Sequence, residues 1–251
     1  MKSFLKRALC HPSVTYLRNK IFTSSSSYAQ KNEDLVITAL IGKVDKFIDI
    51  GANDGISGSN SFFFALNGAA GLCFEPVNEI FIRLSGLYRF NKRIICINEG
   101  VSDVSKSYEI RVDGVISTIL ETEDPVNKIC LKDFVDKNAR KEFIDVKPLS
   151  YHIENHPEFQ DVDFMSIDVE GHELNVVRGI DFNRIKIKCI IIESLGGKTT
   201  NYDQIESLLK QNKFIPVLTN ELNTFFIYES YLNRFRIETI LKNYSEYRSL
   251  I

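Results

Sequence analysis

The sequence predicts an α/β fold with a seven-stranded, mostly parallel, Rossmann-like sheet and helices on both faces. Short apolar runs alternate with segments of helical periodicity along most of the 251 residues, which is typical of parallel strands joined by crossover helices. The last two apolar runs, Phe214–Leu218 and Thr224–Tyr228, are joined by a short connection, and parallel neighbours would need a long one. We therefore expect six parallel strands and one antiparallel strand in the edge region of the sheet.

The other elements follow from the same patterns, taken in chain order. The other predicted strands are Phe47–Ile50, Leu72–Glu75, Ile94–Ile97, Phe164–Ile167 and Cys189–Ile192, with Tyr108–Val112 as a further strand in a variable region. The predicted helices are Asn32–Leu40, Ser57–Asn67, Val77–Tyr88, Glu173–Gly179, Tyr202–Gln211 and Leu232–Arg248. Since ligands of such sheets bind outside the carboxyl ends of the strands, the acids that follow these ends are the candidates for function.

Composition predicts one globular domain with extensions. We expect a basic amphipathic extension at residues 1–30, the main domain at 31–230 with a substrate-facing insertion at 104–160, and a helical tail at 231–251. The apolar fraction of 44% and the charged fraction of 25% are ordinary, and a net charge of −2 gives no strong attraction to nucleic acid. The sequence leaves the oligomeric state open.

The predicted location is the cytoplasm. The five cysteines are scattered, without zinc-ligand spacing, which fits a reducing compartment. No apolar stretch is long enough to span a membrane. The basic N-terminal segment is expected to dock on the domain as a helix; the alternative is peripheral contact with the inner membrane surface.

The turn after the first strand is the first candidate for ligand binding. Residues 47–55 give a short apolar run that contains Asp49, followed by a turn with Gly51 and Gly55 that lets backbone pass close to a ligand. The glycine spacing is not G-x-G-x-x-G, and Asp49 and Asp54 add negative charge where a pyrophosphate would need bare N–H groups. These acids argue against a nicotinamide-dependent dehydrogenase. They favour a ligand with a cationic head, such as S-adenosylmethionine.

Glu75 supplies the second half of this signal. It ends the next apolar run, 24 residues after Gly51, close to the interval at which the acid of a nucleotide-binding βαβ unit binds the ribose diol. A carboxylate accepts hydrogen bonds from two vicinal hydroxyls, and charged acceptors make the stronger bonds. The two motifs together predict a nucleoside-type cofactor.

A second cluster follows the strand Phe164–Ile167. Asp168, Glu170, His172 and Glu173 lie within six residues at a predicted strand-to-helix junction. Acids in the first turn of a helix also stabilise its dipole, so Glu170 and Glu173 have a structural explanation too. His172 titrates near neutral pH and could accept a proton from a substrate hydroxyl, although a single histidine is often a packing residue.

The motifs in combination resemble those of the FkbM-type methyltransferases. The matching segments are Phe47–Gly55, Phe74-Glu75-Pro76, Val101-Ser102-Asp103, Ser166–Glu173, Val177-Arg178-Gly179 and Ile190–Glu193, after a Tyr28–Leu35 lead-in in which the family usually has glycine at the position of Asn32. The resemblance covers roughly residues 30–228. It implies a class I S-adenosylmethionine-dependent O-methyltransferase acting on a hydroxyl of a sugar, glycan, glycolipid or secondary metabolite.

The resemblance also implies Asp49, Gly51, Asn53, Gly55 and Glu75 as cofactor residues. We expect Ala52, Pro76, Ser102 and Asp168 to bind the cofactor as well. The expected catalytic residues are Asp168, His172 and Glu170, with His172 or Asp168 preferred as the base that takes the proton of the acceptor hydroxyl. A Gly114–Thr118 segment could offer hydroxyls to the ligand.

Two alternatives stay open. Asp168 and Glu193 end two strands predicted to be adjacent, a position from which oxygen ligands could hold a divalent metal, although metal dependence is not favoured. A non-catalytic sugar- or nucleotide-binding module could use the same fold, because fold does not determine function.

Overall fold

The computed structural model describes residues 27–113, 116–119, 140–197, 199 and 201–251. The strands are β1 (Lys46–Ile50), β2 (Ala70–Phe74), β3 (Ile94–Ile97), β4 (Gly100–Val101), β5 (Lys106–Asp113), β6 (Ile116–Ile119), β7 (Arg140–Lys147), β8 (Asp161–Ile167), β9 (Lys186–Glu193), β10 (Phe214–Thr219), β11 (Asn223–Tyr228) and β12 (Arg248–Ser249). The helices are α1 (Glu33–Ile41), α2 (Phe62–Leu66), α3 (Asn78–Leu87), α4 (Leu149–Asn155), α5 (Glu173–Arg178), α6 (Tyr202–Gln211) and α7 (Arg234–Asn243). Most of the predicted N-terminal extension, and Gly114 and Val115, lie outside the described residues.

The predicted α/β fold is confirmed. The main sheet has the strand order β12-β10-β11-β9-β8-β1-β2-β3, and β10, β9, β8, β1, β2 and β3 all run in one direction. The edge strand β12 runs antiparallel to β10. The other reversed strand is β11, which pairs antiparallel with β9 on one side and β10 on the other. It therefore lies inside the sheet, because the crossover through α6 leaves a gap that the returning chain fills. The eighth strand, β12, has only two residues and no apolar run that could have predicted it.

Helices cover both faces of the main sheet. Along β1, Phe47 packs with α1, α2 and α7, whereas Ile48 and Ile50 pack on the opposite face with α4, α5 and α6. This alternation follows from the two-residue period of a strand, in which successive side chains point to opposite faces. Buried apolar side chains on each face stabilise the arrangement at roughly 25 cal/mol per Å² removed from water.

A separate four-stranded sheet, in the order β4-β7-β5-β6, occupies the region predicted as a substrate-facing insertion. Ile110, Ile144 and Val146 of this sheet pack against Val77 and Ile80 at the start of α3. The sequence predicted only part of β5. Strand β7 was missed because Ile144 and Val146 are its only buried apolar residues, while its other face carries charged side chains and the exposed Phe143, as expected of a strand that is buried on one side.

The segment after residue 230 closes the fold next to the first helix. It supplies α7, which ends earlier than the predicted helix, and then β12. The guanidinium of Arg236 donates to the carbonyl oxygen of Leu40 at 2.8 Å, and the Tyr247 hydroxyl donates to the carbonyl oxygen of Lys31 at 2.8 Å. Within the described part of the chain, no helix is long and apolar enough to cross a membrane.

Candidate active site

A cavity of about 460 Å³ opens at the carboxyl ends of β1, β2 and β8. This volume lies within the range of small-molecule sites, which is about 300–1,000 Å³. Seven predicted cofactor residues line it, namely Asp49, Gly51, Ala52, Asn53, Glu75, Pro76 and Asp168, and so do the three predicted catalytic residues Asp168, Glu170 and His172. The other two predicted cofactor residues, Gly55 and Ser102, do not line the cavity. The structure thus brings both sequence-predicted centres into one cavity.

Gly51 is required by the way two loops cross at the carboxyl end of β1. Its φ of 85° lies in the left-handed region, and a Cβ at this position would lie 1.7 Å from the carbonyl oxygen of Asp168. The amides of Gly51 and Ala52 both donate to the carbonyl oxygen of Phe74, at 3.1 and 2.9 Å. The turn is therefore held against both neighbouring strands by backbone contacts that exclude a side chain at residue 51.

Asp54 stabilises the loop, and the expectation that it would face a cationic ligand is wrong. Its Oδ1 accepts from the amides of Ile56 and Ser57 at 2.9 and 2.8 Å, and its Oδ2 accepts from the Ser57 hydroxyl. It is not part of the cavity lining. Gly55 has a φ of 78°, and a Cβ there would lie 2.7 Å from the Leu84 side chain of α3. Because this loop is compact, α2 begins at Phe62 rather than at the predicted Ser57.

Glu75 joins the glycine loop to the start of α3. Its Oε2 accepts from the amide of Asn53 at 3.1 Å, and its Oε1 accepts from the amide of Val77 at 2.8 Å. Burial is the main cause that raises the pKa of Glu75, to about 7, and these two amides oppose the rise. Each carboxylate oxygen has a second lone pair, so Glu75 keeps acceptor capacity towards the cavity.

Asp49 lies on a polar wall of the cavity. The Ser61 hydroxyl donates to Asp49 Oδ2 at 2.6 Å, while burial and then repulsion by Asp168 raise the pKa of Asp49 to about 6. Ser166 is opposite Asp49 on β8, and its hydroxyl oxygen accepts from the Asn60 side-chain amide at 3.1 Å. This wall offers hydroxyl and amide groups beside a carboxyl group.

The loop after β8 presents two acids to the cavity and is shaped by a third. Asp168 is open to the cavity. Desolvation of its carboxyl group within the protein, followed by repulsion from Glu33, raises its pKa. Glu170 has a φ of 53°, and its pKa is raised to about 7 by burial and then by Asp168. Glu173 accepts from the amides of Val169 and Gly171, each at 3.1 Å, so it fixes the loop rather than facing a ligand.

His172 lies at the start of α5, with its ring against the second sheet. Its Nε2 is 2.9 Å from the Ser102 hydroxyl oxygen, and its ring is in edge contact with Tyr108 at a centroid distance of 5.6 Å. Burial lowers the pKa of His172 to about 4, although Asp103 opposes the shift. The imidazole is therefore neutral at pH 7 and able to accept a proton.

Glu193 ends β9, and β9 is next to β8 as predicted. Burial, followed by repulsion from Asp168, raises the pKa of Glu193 to about 10, which keeps it protonated at neutral pH. Among the residues that the structure describes, no group of three or more His, Cys, Asp or Glu side chains is arranged to hold a metal ion.

Five polar residues of the cavity wall were not predicted as site residues from the sequence: Gln30, Ser57, Ser59, Asn60 and Ser166. Ser166 could have been recognised from the sequence, since it is the polar residue within the apolar run of β8. Gln30 had none, because its place depends on the pairing of Ala29 with Gly58 across the lead-in.

Asn32 shows why the lead-in keeps its shape without the usual glycine. Its φ of 62° is a left-handed conformation, which asparagine adopts more readily than most residues. The buried Glu33 then accepts from the side-chain amides of Asn220 and Asn223, both at 2.9 Å. The lead-in is thereby tied to the turn between β10 and β11.

Comparison with known proteins adds a family match. The model of the methyltransferase FkbM domain matches residues 49–216. No curated protein sequence matches the chain. Among solved structures, the methyltransferase FkbM from Methylobacillus flagellatus KT is 15% identical with a TM-score of 0.47, over 85% of this chain and 58% of that one. This chain therefore spans a little over half the length of that protein.

Two further solved structures are similar over most of both chains. The O-methyltransferase from Bacillus cereus in complex with SAH is 9% identical with a TM-score of 0.45, over 86% of this chain and 89% of that one. The precorrin-6y C5,15-methyltransferase from Geobacter metallireducens GS-15 is 8% identical with a TM-score of 0.44, over 83% of this chain and 94% of that one.

Proposed function

The chain belongs to the FkbM family of S-adenosylmethionine-dependent methyltransferases, and we propose that it methylates a hydroxyl oxygen of an uncharged sugar, glycan, glycolipid or secondary metabolite. The observation that carries this proposal is the single cavity in which Glu75 and the glycine loop meet three proton acceptors, Asp168, Glu170 and His172.

The residues present fit the cofactor. The backbone at Gly51 passes where a Cβ would clash with the Asp168 carbonyl oxygen. Glu75 has lone pairs left for a ribose diol, and the Asp49 carboxyl group suits a cationic group. When bound, S-adenosylmethionine supplies a methyl group on a sulfonium that an oxygen nucleophile can attack in line. The protein contributes orientation, which can supply roughly 7–11 kcal/mol of the barrier.

The charge of the cavity supports an uncharged acceptor. Four carboxyl groups line it, and no Lys or Arg does so within the described ranges. Repulsion between an anionic acceptor group and a carboxylate about 6 Å away is about 3 kcal/mol at an effective dielectric constant of 20. Phosphorylated and carboxylated acceptors are therefore disfavoured. The amides of Gln30 and Asn60 and the Ser166 hydroxyl suit an acceptor that carries several hydroxyls.

An alkyl hydroxyl needs a base, because its proton must leave as the new C–O bond forms. A positioned base contributes typically 10²–10⁴-fold. Asp168, Glu170 and His172 all line the cavity, and each can take that proton: the two acids once ionised, and His172 in its neutral form.

A turnover assay tests the proposal. Purified protein is incubated with S-adenosylmethionine and a panel of neutral glycosides, with and without magnesium, and S-adenosylhomocysteine is quantified. We expect the variant that removes the base, either Asp168→Asn or His172→Gln, to lower turnover at least 100-fold while changing affinity for S-adenosylhomocysteine much less. The exposed Asp203→Asn on α6 is the matched control. Equal losses of turnover and of cofactor affinity in a variant would contradict a catalytic role for the residue replaced.

The alternative is a non-catalytic sugar- or nucleotide-binding module. It predicts that the folded protein binds S-adenosylhomocysteine or a sugar but forms no methylated product with any acceptor. The presence of Asp168 and His172 in the cavity beside Glu75 favours the enzyme.

A further inference from the structure

His172 has two ring nitrogens in different surroundings. Nε2 lies 2.9 Å from the Ser102 hydroxyl oxygen. Nδ1 has no hydrogen-bond partner among the described residues and is not sealed from solvent. His172 lines the cavity, and Nδ1 is the ring nitrogen that Ser102 leaves unpaired.

The direction of the hydrogen bonds follows from the third member of the group. The Ser102 hydroxyl also lies 3.1 Å from Asp103 Oδ1, and an ionised carboxylate can only accept. Ser102 therefore donates its single proton to Asp103. Its oxygen is then free to accept from His172, which places the histidine proton on Nε2 and leaves Nδ1 with a lone pair.

This group is held rigidly. Ser102 is fully buried, and its amide donates to the carbonyl oxygen of Lys147 at 3.1 Å. Gly179 at the end of α5 packs so closely that a Cβ there would lie 2.1 Å from the Ser102 carbonyl oxygen. Asn175 on the same helix donates to Asp103 Oδ1 at 3.2 Å. Helix α5, which begins next to His172, thus also fixes Ser102 and Asp103.

We propose that Ser102 and Asp103 are positioning residues that hold His172 as the Nε2–H tautomer, with Nδ1 presented to the cavity as the proton acceptor for the acceptor hydroxyl. This role rests on the proposed function. In that step the O–H bond of the acceptor breaks and its proton forms a bond with Nδ1. The oxygen electron pair forms a bond to the methyl carbon, whose bond to sulfur breaks with that electron pair remaining on the sulfur. The imidazolium that results is stabilised through Ser102 by the Asp103 carboxylate.

Few other groups face the ring. Tyr108 contacts it edge-on, and Lys106 Nζ lies 4.6 Å from the Tyr108 ring centroid on the second sheet. The charge that acts on the histidine is that of Asp103.

The test is the tautomer itself, read by nitrogen-15 NMR of the imidazole side chains near pH 7, without an acceptor. The chain has four histidines, and His172→Gln assigns the signals of residue 172. If that variant does not fold, replacing each of the other three histidines in turn assigns the signals of residue 172 by exclusion. We expect Nε2 of the wild type to be protonated and Nδ1 to be unprotonated.

Ser102→Ala should reduce the tautomer preference by roughly two- to tenfold, the range of one hydrogen bond between uncharged groups. The exposed Ser105→Ala in the same loop is the matched control and should leave it unchanged. An Nδ1–H tautomer in the wild type, or an unchanged preference in Ser102→Ala, would overturn the proposal.

Binding of S-adenosylhomocysteine tests the positioning role of Ser102 separately from the proposed function. Ser102→Ala should bind S-adenosylhomocysteine as the wild type does. Loss of binding in this variant would instead make Ser102 the cofactor residue that the sequence predicted, and would overturn its positioning role. A folded wild type that does not bind at all would refute the proposed function while leaving the tautomer result intact.

Discussion

Replacing Glu75 by Gln probes the cofactor site with a nearly isosteric change. The wild-type carboxylate accepts from the amides of Asn53 and Val77 and keeps lone pairs for a ribose diol. The carboxamide of Gln has one acceptor oxygen instead of two, and its NH₂ would face a backbone N–H. The variant therefore loses one bond to the loop and the charged acceptor for the diol.

The expected loss is that of a hydrogen bond to a charged group, about 1.5–3 kcal/mol, which is roughly 10- to 100-fold in affinity. The pKa of Glu75 is raised to about 7, so only about half of the wild-type molecules are ionised at pH 7. Because the ionised form is the stronger acceptor, wild-type affinity should rise between pH 6 and pH 8. The Glu75→Gln variant should lack Glu75's contribution to this rise.

Calorimetric titration with S-adenosylhomocysteine at pH 8 measures the effect, with the exposed Glu79→Gln on α3 as the control. The same titrations with an analogue that lacks both ribose hydroxyls separate loop distortion from loss of the diol contact. The analogue should bind more weakly than S-adenosylhomocysteine to the wild type and about equally to Glu75→Gln. Affinity of the variant within twofold of the wild type, or the same analogue penalty in both, would refute the diol contact.

Two further predictions concern the fold. Gly51→Ala should destabilise the protein by several kcal/mol in denaturant unfolding because its Cβ would overlap a carbonyl oxygen, whereas Gly68→Ala, with a φ of 90° but nothing within 4 Å, should cost only about 1–2 kcal/mol. Equal costs would show that backbone conformation, not the clash, decides. Glu75 and Glu170 have pKa values raised to about 7, so the folded state binds more protons than the unfolded state above about pH 4.5. The free energy of unfolding should therefore fall between pH 6.5 and pH 8. The buried His152 and His172, whose pKa values are lowered to about 4, oppose this fall only at its start, because they lose their protons near pH 6.5 in the unfolded state. A rise would contradict these shifts.

The parallel half of the fold could be predicted because its strands are buried on both faces and form continuous apolar runs. The second sheet could not, since it is buried on one side only and its strands β4 and β6 are short. The place of β11 inside the sheet depends on how far the α6 crossover reaches, which no local pattern encodes.

Within the site, the structure places Asp49, Glu75 and Asp168 at the cavity because each lies at or next to the carboxyl end of a strand. Asp54 does not line the cavity, because its carboxylate accepts from amides of its own loop. Gln30 could not be found, because its position depends on contacts between segments that are distant along the chain.

Helix α3 links the two ends of the cavity. The side chains of Leu84 and Leu87 lie against Gly55 of the glycine loop, while Ile80 packs with the second sheet at the other end of the cavity. An acceptor that displaced this helix would also change the loop that meets the cofactor. By thermodynamic reciprocity, whatever factor the acceptor then applied to cofactor affinity, the cofactor would apply to acceptor affinity, so the coupling between the two ligands would depend on one helix.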